Sequence, residues 1–349
     1  MRVRGAGILF ASATLAAGGS ARPAAACDSA SCALLTRGPG VVPKGEWVVD
    51  LSFRYTDEGQ PLLGSTPALE ALRPRIDFVR QRLVPFYHVE LNGSDTITQA
   101  DAAYGLTSRL ALTASLPLLG VRSYNHVHYP PPPDPTAPAA PVAPVDDEHV
   151  HAVTAAGPTR VHLRTEGNGD ALVGARYAVV LSPGQRLLAG LAAQVPIGKS
   201  RLVDPHDGGI YDPTMQPGTG SWGAVASLQY GTRRVGLDWS ASGSYQLTTA
   251  NGLGYRFGNE AIGALGLGRG IGRFAASCQI KAHRLGRSEY LGQRVPSTGG
   301  SMLILTPGVR MRTSTGSVYA FYQRPVHRRV NEYQLASRGA LLVGVSRAF

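Results

Sequence analysis

The residues whose types and spacing most directly suggest chemistry are His88, Glu90, His126 and His128. In extended chain, residues two apart project to the same side, so His88 with Glu90 and His126 with His128 each form a two-pronged face. Pairing Tyr104 with Leu110 across a turn at 105–109 sets His88 opposite His126, and opposed side chains lie within about 5.5 Å at Cβ. Three imidazoles and a carboxylate would suit a divalent transition metal, Zn²⁺, Cu²⁺ or Ni²⁺, at an extracellular rim. A second pair, His149 and His151, follows Asp146-Asp147-Glu148 and could fold back onto the first. The competing reading is a set of solvated loop histidines, and one bulge would turn a pair to the opposite face.

A second group comprises Asp50, Arg54, Arg176, Asp238, Glu260, Gln279, Lys281 and His283. These are candidates for the lumen of a channel, where mixed charges fit a narrow polar interior. The alternative is that they neutralise one another in a filled barrel, since about eight strands leave no pore and about sixteen to eighteen a wide one. Ser277 and His283 have the residue types of a hydrolytic pair, but no orienting group or signature accompanies them, so the reading is non-enzymatic. Cys27 and Cys32 are candidates for a disulfide, and Cys278 reads as a buried or lipid-facing thiol.

The elements that must position these residues belong to an exported chain. Arg2 and Arg4 precede an apolar run over 8–17, and Ala24-Ala25-Ala26 supplies a small-residue cleavage pattern. Residues 1–26 therefore read as a signal peptide and 27–45 as a periplasmic N-terminal segment. No other stretch reaches the ~18 consecutive apolar residues of a membrane helix, which leaves a closed barrel as the way to span a bilayer. The formal net charge of +11 is almost wholly arginine, because lysine occurs only at Lys44, Lys199 and Lys281. In an exported chain with no nucleic-acid motif, such a basic surface suits outer-membrane lipid and lipopolysaccharide phosphates, not nucleic acid.

From residue 46 the chain alternates, with Trp47, Val49, Leu51, Phe53 and Tyr55 on one side and Val48, Asp50, Ser52 and Arg54 on the other. Similar strands end at 104 or cover 110–118, 173–179, 187–195, 222–230, 235–247, 259–267, 273–284, 301–312, 318–325 and 338–349, twelve in all. Joins from even to odd strands are short (105–109, 182–185, 231–234, 268–272, 313–317) and the others mostly long. That is the loop pattern of an antiparallel transmembrane β-barrel occupying 46–349, with short periplasmic turns and long extracellular loops. Alternation alone would also fit a soluble sandwich with its apolar face in a core. Leu69, Leu72, Ile76, Val79 and Leu83 recur at helical spacing and predict a short helix in a surface loop, or core packing, interrupted at Pro74. The stretch 121–168, rich in proline and histidine, reads as an extended extracellular loop. Gly263, Gly266, Gly268, Gly270 and Gly272 look superficially like a phosphate loop but sit across a hairpin with no helix following.

The final strand, in which Leu341, Val343 and Val345 lead by twos to Phe349, resembles the C-terminal strand of bacterial outer-membrane barrels. The resemblance implies recognition by the barrel assembly machinery, with Arg347 departing from its pattern. Gly167-Asn168-Gly169-Asp170, Gly174-Ala175-Arg176-Tyr177, Gln194-Val195-Pro196-Ile197-Gly198-Lys199 and Gln216-Pro217-Gly218-Thr219-Gly220 resemble an outer-membrane transporter family labelled for the meta-pathway of phenol degradation. The Tyr104-Gly105-Leu106-Thr107 turn and Leu116-Pro117 fit it too. Membership would imply a barrel loosely akin to channels for hydrophobic or aromatic compounds, which with the mixed-charge lumen face predicts passive uptake of small solutes, while the loop pattern and Phe349 predict a monomeric or weakly oligomeric barrel in the cell outer membrane. A metal-binding protein with a histidine-rich rim is the alternative.

Overall fold

The computed structural model describes residues 41–69, 71–128, 159–205 and 208–349. The expected signal peptide, Cys27, Cys32, His149 and His151 lie outside the described residues.

Twelve antiparallel strands close into a ring. They are β1 (Trp47–Leu63), β2 (Arg82–Gly105), β3 (Leu110–His128), β4 (Ala171–Ser182), β5 (Gln185–Val195), β6 (Gly223–Arg234), β7 (Leu237–Thr248), β8 (Glu260–Ile271), β9 (Phe274–Leu285), β10 (Gly300–Arg312), β11 (Ser317–Val330) and β12 (Tyr333–Ala348). Each pairs with the next, and β1 pairs with both β2 and β12, which removes the free edge that lipid could not satisfy.

The two faces of the ring are inverted relative to a soluble protein. Trp47, Val49, Leu51, Phe53 and Tyr55 of β1 are exposed on the outside, and so are Leu341, Val343 and Val345 of β12. Their register, Leu51 opposite Val345 and Phe53 opposite Val343, keeps both series on one face. Asp50, Asp101, Arg176, Glu260 and Lys281 are buried inside. An apolar exterior of this extent around a charged interior belongs in a bilayer, and a sandwich with an apolar core is ruled out.

Both ends of the described barrel lie at the short-turn rim, where Trp47 and Phe349 exchange backbone hydrogen bonds of 3.1 and 2.9 Å. Trp47 and Tyr104 meet there at 4.8 Å between ring centroids. Arg347 lays its guanidinium 4.7 Å from the Phe349 ring. An arginine is accommodated on the outer face at this level because its head reaches the interface while its stem covers apolar surface. The long loops at the other end are extracellular.

Three expectations need correction. The stretch with helical spacing is a strand, Ala71–Asp77, with Leu72 opposite Val89 and Ile76 opposite Leu83. β2 is 24 residues long and its upper half offers an edge to pair with, while Pro74 denies a helix one N–H and falls at the register shift between Arg73 and Arg75. The loop over 121–168 is shorter than expected, because β3 continues to His128 and a strand at Thr159–Gly167 pairs with it. The register of the second hairpin is shifted by two, with Tyr104 opposite Leu112. Leu106 and Thr107 both donate to the Leu110 carbonyl, and Thr107 Oγ1 accepts from the amides of Arg109 and Leu110, so the turn closes over 106–109. A shift of two leaves every side chain on its face.

Candidate functional site: a polar interior and the loop that enters it

Alternation along the strands sends Asp50, Arg54, Arg176, Asp238, Glu260, Gln279, Lys281 and His283 to the inner face. Near the periplasmic end Asp50 stands opposite Asp101 on the neighbouring strand. Tyr319 donates to Asp50 at 2.7 Å, and the Arg310 guanidinium lies 4.8 Å from the Tyr319 ring. Gln99 donates to both Asp101 oxygens at 3.2 Å. Asp238 sits 3.9 Å from Arg233. Higher up, Lys281 is 2% exposed and senses the charges of Arg54 and Glu260. Glu260 lies 2.7 Å from His283 Nε2. Ser277 and His283 point the same way on β9 but are six residues apart, about 20 Å at strand rise. They are not brought together as a hydrolytic pair.

The residues that sequence reasoning did not single out form the other half of the site. The described residues of segment 196–222, between β5 and β6, do not project outward but turn into the barrel. Asp170 anchors it: Oδ1 accepts from the Gly198 amide at 3.0 Å, and Oδ2 accepts from the amide and hydroxyl of Thr219 at 2.7 and 2.6 Å. Gln194 donates to Thr219 Oγ1 at 2.8 Å and to the Ser221 carbonyl at 3.0 Å, and Gln246 donates to Gln194 at 2.6 Å. The glycines here are set by space. A Cβ on Gly198 would stand 2.7 Å from backbone atoms of both Gly169 and Gly218, closer than packing allows. Three of the glycine-bearing motifs quoted above, at 167–170, 194–199 and 216–220, therefore meet at one point.

Beyond this anchor the loop makes a single 3₁₀ turn, Pro213–Met215, capped by Asp212. Its far side reaches other walls of the barrel. Arg122 of β3 donates to the Thr214 carbonyl, and Thr165 donates to that of Met215 at 2.5 Å. Tyr211 and Met215 are buried against Tyr124 and Leu163, with Leu335 of β12 packed on the cluster. The Tyr124 hydroxyl donates to Glu58 at 2.8 Å, which ties β3 to β1 on the way.

The extracellular mouth has its own apolar cluster. Ile76, Tyr255, Tyr290 and Val295 are buried together, with Phe78, Leu83 and Phe257 against them, so loops from three hairpins pack on one another. Arg287, in the same loop as Tyr290 and Val295, ties that loop to Glu332 between β11 and β12 through bonds of 2.7 and 2.6 Å. The Arg287 hydrogen bonds hold the Glu332 carboxyl below its usual pKa, and Glu332 in turn raises that of Arg287.

With this geometry in place, the chain is similar over 88% of its length to 97% of an outer membrane channel from Pseudomonas putida F1, at a TM-score of 0.56 and 11% identity. The chain is a twelve-stranded outer-membrane β-barrel. A Pseudomonas aeruginosa FadL homologue aligns over 97% of this chain and 99% of its own, at a TM-score of 0.39 and 11% identity. No family model matches, and no curated protein matches.

On this barrel the histidine-rich ladder is arranged differently from the sequence expectation. His88 faces His128 and Glu90 faces His126, so the expected opposition of His88 and His126 is corrected. Register shifts between Thr98 and Gln99 and between Glu90 and Asn92 cancel, which returns all four positions to one face. Glu90 and His126 are buried, and the side chains of His88 and His128 are outside the described residues. Among the described residues no group of three His, Cys, Asp or Glu side chains could hold a metal ion. Cys278 is exposed on the outer face.

Proposed function

We propose that this barrel is a channel for the passive passage of small solutes of hydrophobic or aromatic character, and that its chemistry is non-enzymatic. The observation that carries the reading is segment 196–222, which enters the barrel and sets Tyr211 and Met215 against Tyr124 and Leu163 beside a charged wall. A lining with an aromatic upper part and a polar lower part suits solutes that are flat and sparingly polar, and passage needs contacts weak enough to release them. The similar barrel from Pseudomonas putida F1 is described as an outer membrane channel, and the motif resemblance to the transporter family points the same way. The test is permeation into liposomes carrying the purified protein, comparing benzyl alcohol and benzoate with a disaccharide. Faster entry of the aromatic solutes, reduced on exchange of Tyr211 for lysine, is expected. Entry equal to that of empty liposomes for all three contradicts the reading.

A further inference from the structure

The outer face of β7–β10 carries a feature that transport does not use. At its extracellular end a cavity of ≈ 580 Å³ is lined by Arg256, Arg284, Arg287 and Arg294 together with Glu289 and Tyr245. Arg256 is paired to Glu289 at 2.7 Å and Arg287 to Glu332 at 2.6 Å. Arg284 and Arg294 are exposed and make no ion pair among the described residues. With Arg256 and Arg287 each paired to a carboxylate, Arg284 and Arg294 leave the cavity with a net positive charge.

Directly below it the outer face becomes a shallow apolar trough. Tyr245, Ala261 and Arg284 form one row across β7, β8 and β9, and Gly243, Gly263 and Ala282 form the next row down, about 7 Å lower. A depression of ≈ 500 Å³ opens there, walled by Leu228, Leu265, Ile280 and Leu303. The floor is formed by the small residues, and nothing lies within 4 Å of a Cβ built on Gly263. A cationic cavity at the outer-leaflet headgroup level, continuous with a trough facing the acyl region, matches an amphiphile with phosphate at one end and hydrocarbon at the other.

We propose that this face binds a phosphorylated lipid of the outer leaflet, with Arg284 and Arg294 holding a phosphate and an acyl chain lying in the trough over Gly243 and Gly263. Arginine forks suit phosphate oxygens, and hydrocarbon fills a depression that side chains leave open.

The experiment is native mass spectrometry of the purified full chain in detergent with diphosphoryl lipid A as the probe. Folding of every variant is checked by heat-modifiable migration. Retention of the lipid should fall at least about tenfold in the Arg284→Ala, Arg294→Ala double variant, the loss expected when charge-assisted bonds to phosphate are removed. Gly263→Leu, which keeps both arginines and fills the trough, should reduce retention about fivefold. Arg312→Ala, at the periplasmic end of β10, should retain lipid like the parent. The proposal is overturned if the double variant retains lipid A unchanged, or if Arg312→Ala loses as much, which would make binding a matter of net charge. It is also overturned if millimolar inorganic phosphate displaces the lipid while Gly263→Leu has no effect, the behaviour of a free-anion site.

Discussion

Along β8 and β9 every second residue answers to the bilayer, whereas along 196–222 the residues answer to one another. On β8 the outer series Gly263, Leu265 and Leu267 meets Ala282, Ile280 and Cys278 of β9 in unbroken register. Each outer position needs only to be apolar, and the backbone bonds come from the ladder. Among the described residues of 196–222 there is no ladder beyond a single bridge between Val203 and Ile210. Its position depends on Asp170, Gln194, Gln246 and Arg122, contributed by four different strands or joins. One region tolerates sequence change as long as polarity is kept; the other depends on particular side chains and on gaps that only glycine leaves.

The largest effect should come from breaking the bilayer rule. Leu265→Arg places a charge on the lipid face, where it should cost about 2–4 kcal/mol at mid-depth. On the inner face of the next strand, Gln279→Asn keeps polarity and should cost about 1 kcal/mol at most. Urea unfolding in lipid vesicles measures both, and equal losses would remove the distinction between the faces.

A smaller effect, confined to the loop, is expected at Gly198. Gly198→Val drives a side chain into the backbone of Gly169 and Gly218, for about 1–3 kcal/mol of local strain, whereas Gly263→Val on β8 enters open space. Limited proteolysis should show new cuts within 199–222 in the first variant and none in the second, with both barrels intact on a gel. New cuts in neither variant would mean that the glycine contact does not hold the loop.

The smallest effect concerns the outer loops. Glu332 has its folded pKa depressed below the ordinary 4.5 by Arg287, so its contribution is complete above that pH and is lost as pH falls through the lower, folded value. The pair is partly exposed, with side chains 31% and 44% accessible, so about 0.5 kcal/mol is expected after solvent screening. Hydrogen exchange at Ser297, whose amide also bonds Glu332 at 3.0 Å, should quicken in Glu332→Gln near neutral pH and converge with the parent in acid. A constant difference at all pH values would assign the effect to something other than the ion pair.

The same contrast explains what was legible in the sequence. All twelve strands and the short turns could be read because alternation and turn residues are local signals, and a two-residue error in the second hairpin left the faces unchanged. Pro74 was visible, but the strand around it was not, since it exists only because the upper half of β2 offers an edge. The inner positions from Asp50 to His283 could be found by parity, although parity cannot say which partner each one meets. Asp170 and Gln194 lay inside motifs noticed for their glycines, yet the meeting of those motifs at one anchor is a contact between segments up to 49 residues apart. No local pattern encodes a contact of that kind.

Single-channel recording tests the central claim most directly, that 196–222 narrows the interior of a conducting barrel. The comparison is the parent chain against a variant in which 203–215 is replaced by two glycines, both shown to be folded by heat-modifiable migration. The account predicts higher conductance in the shortened barrel, because Tyr211, Met215 and the turn between them leave the interior. Equal conductance in the two proteins would contradict it.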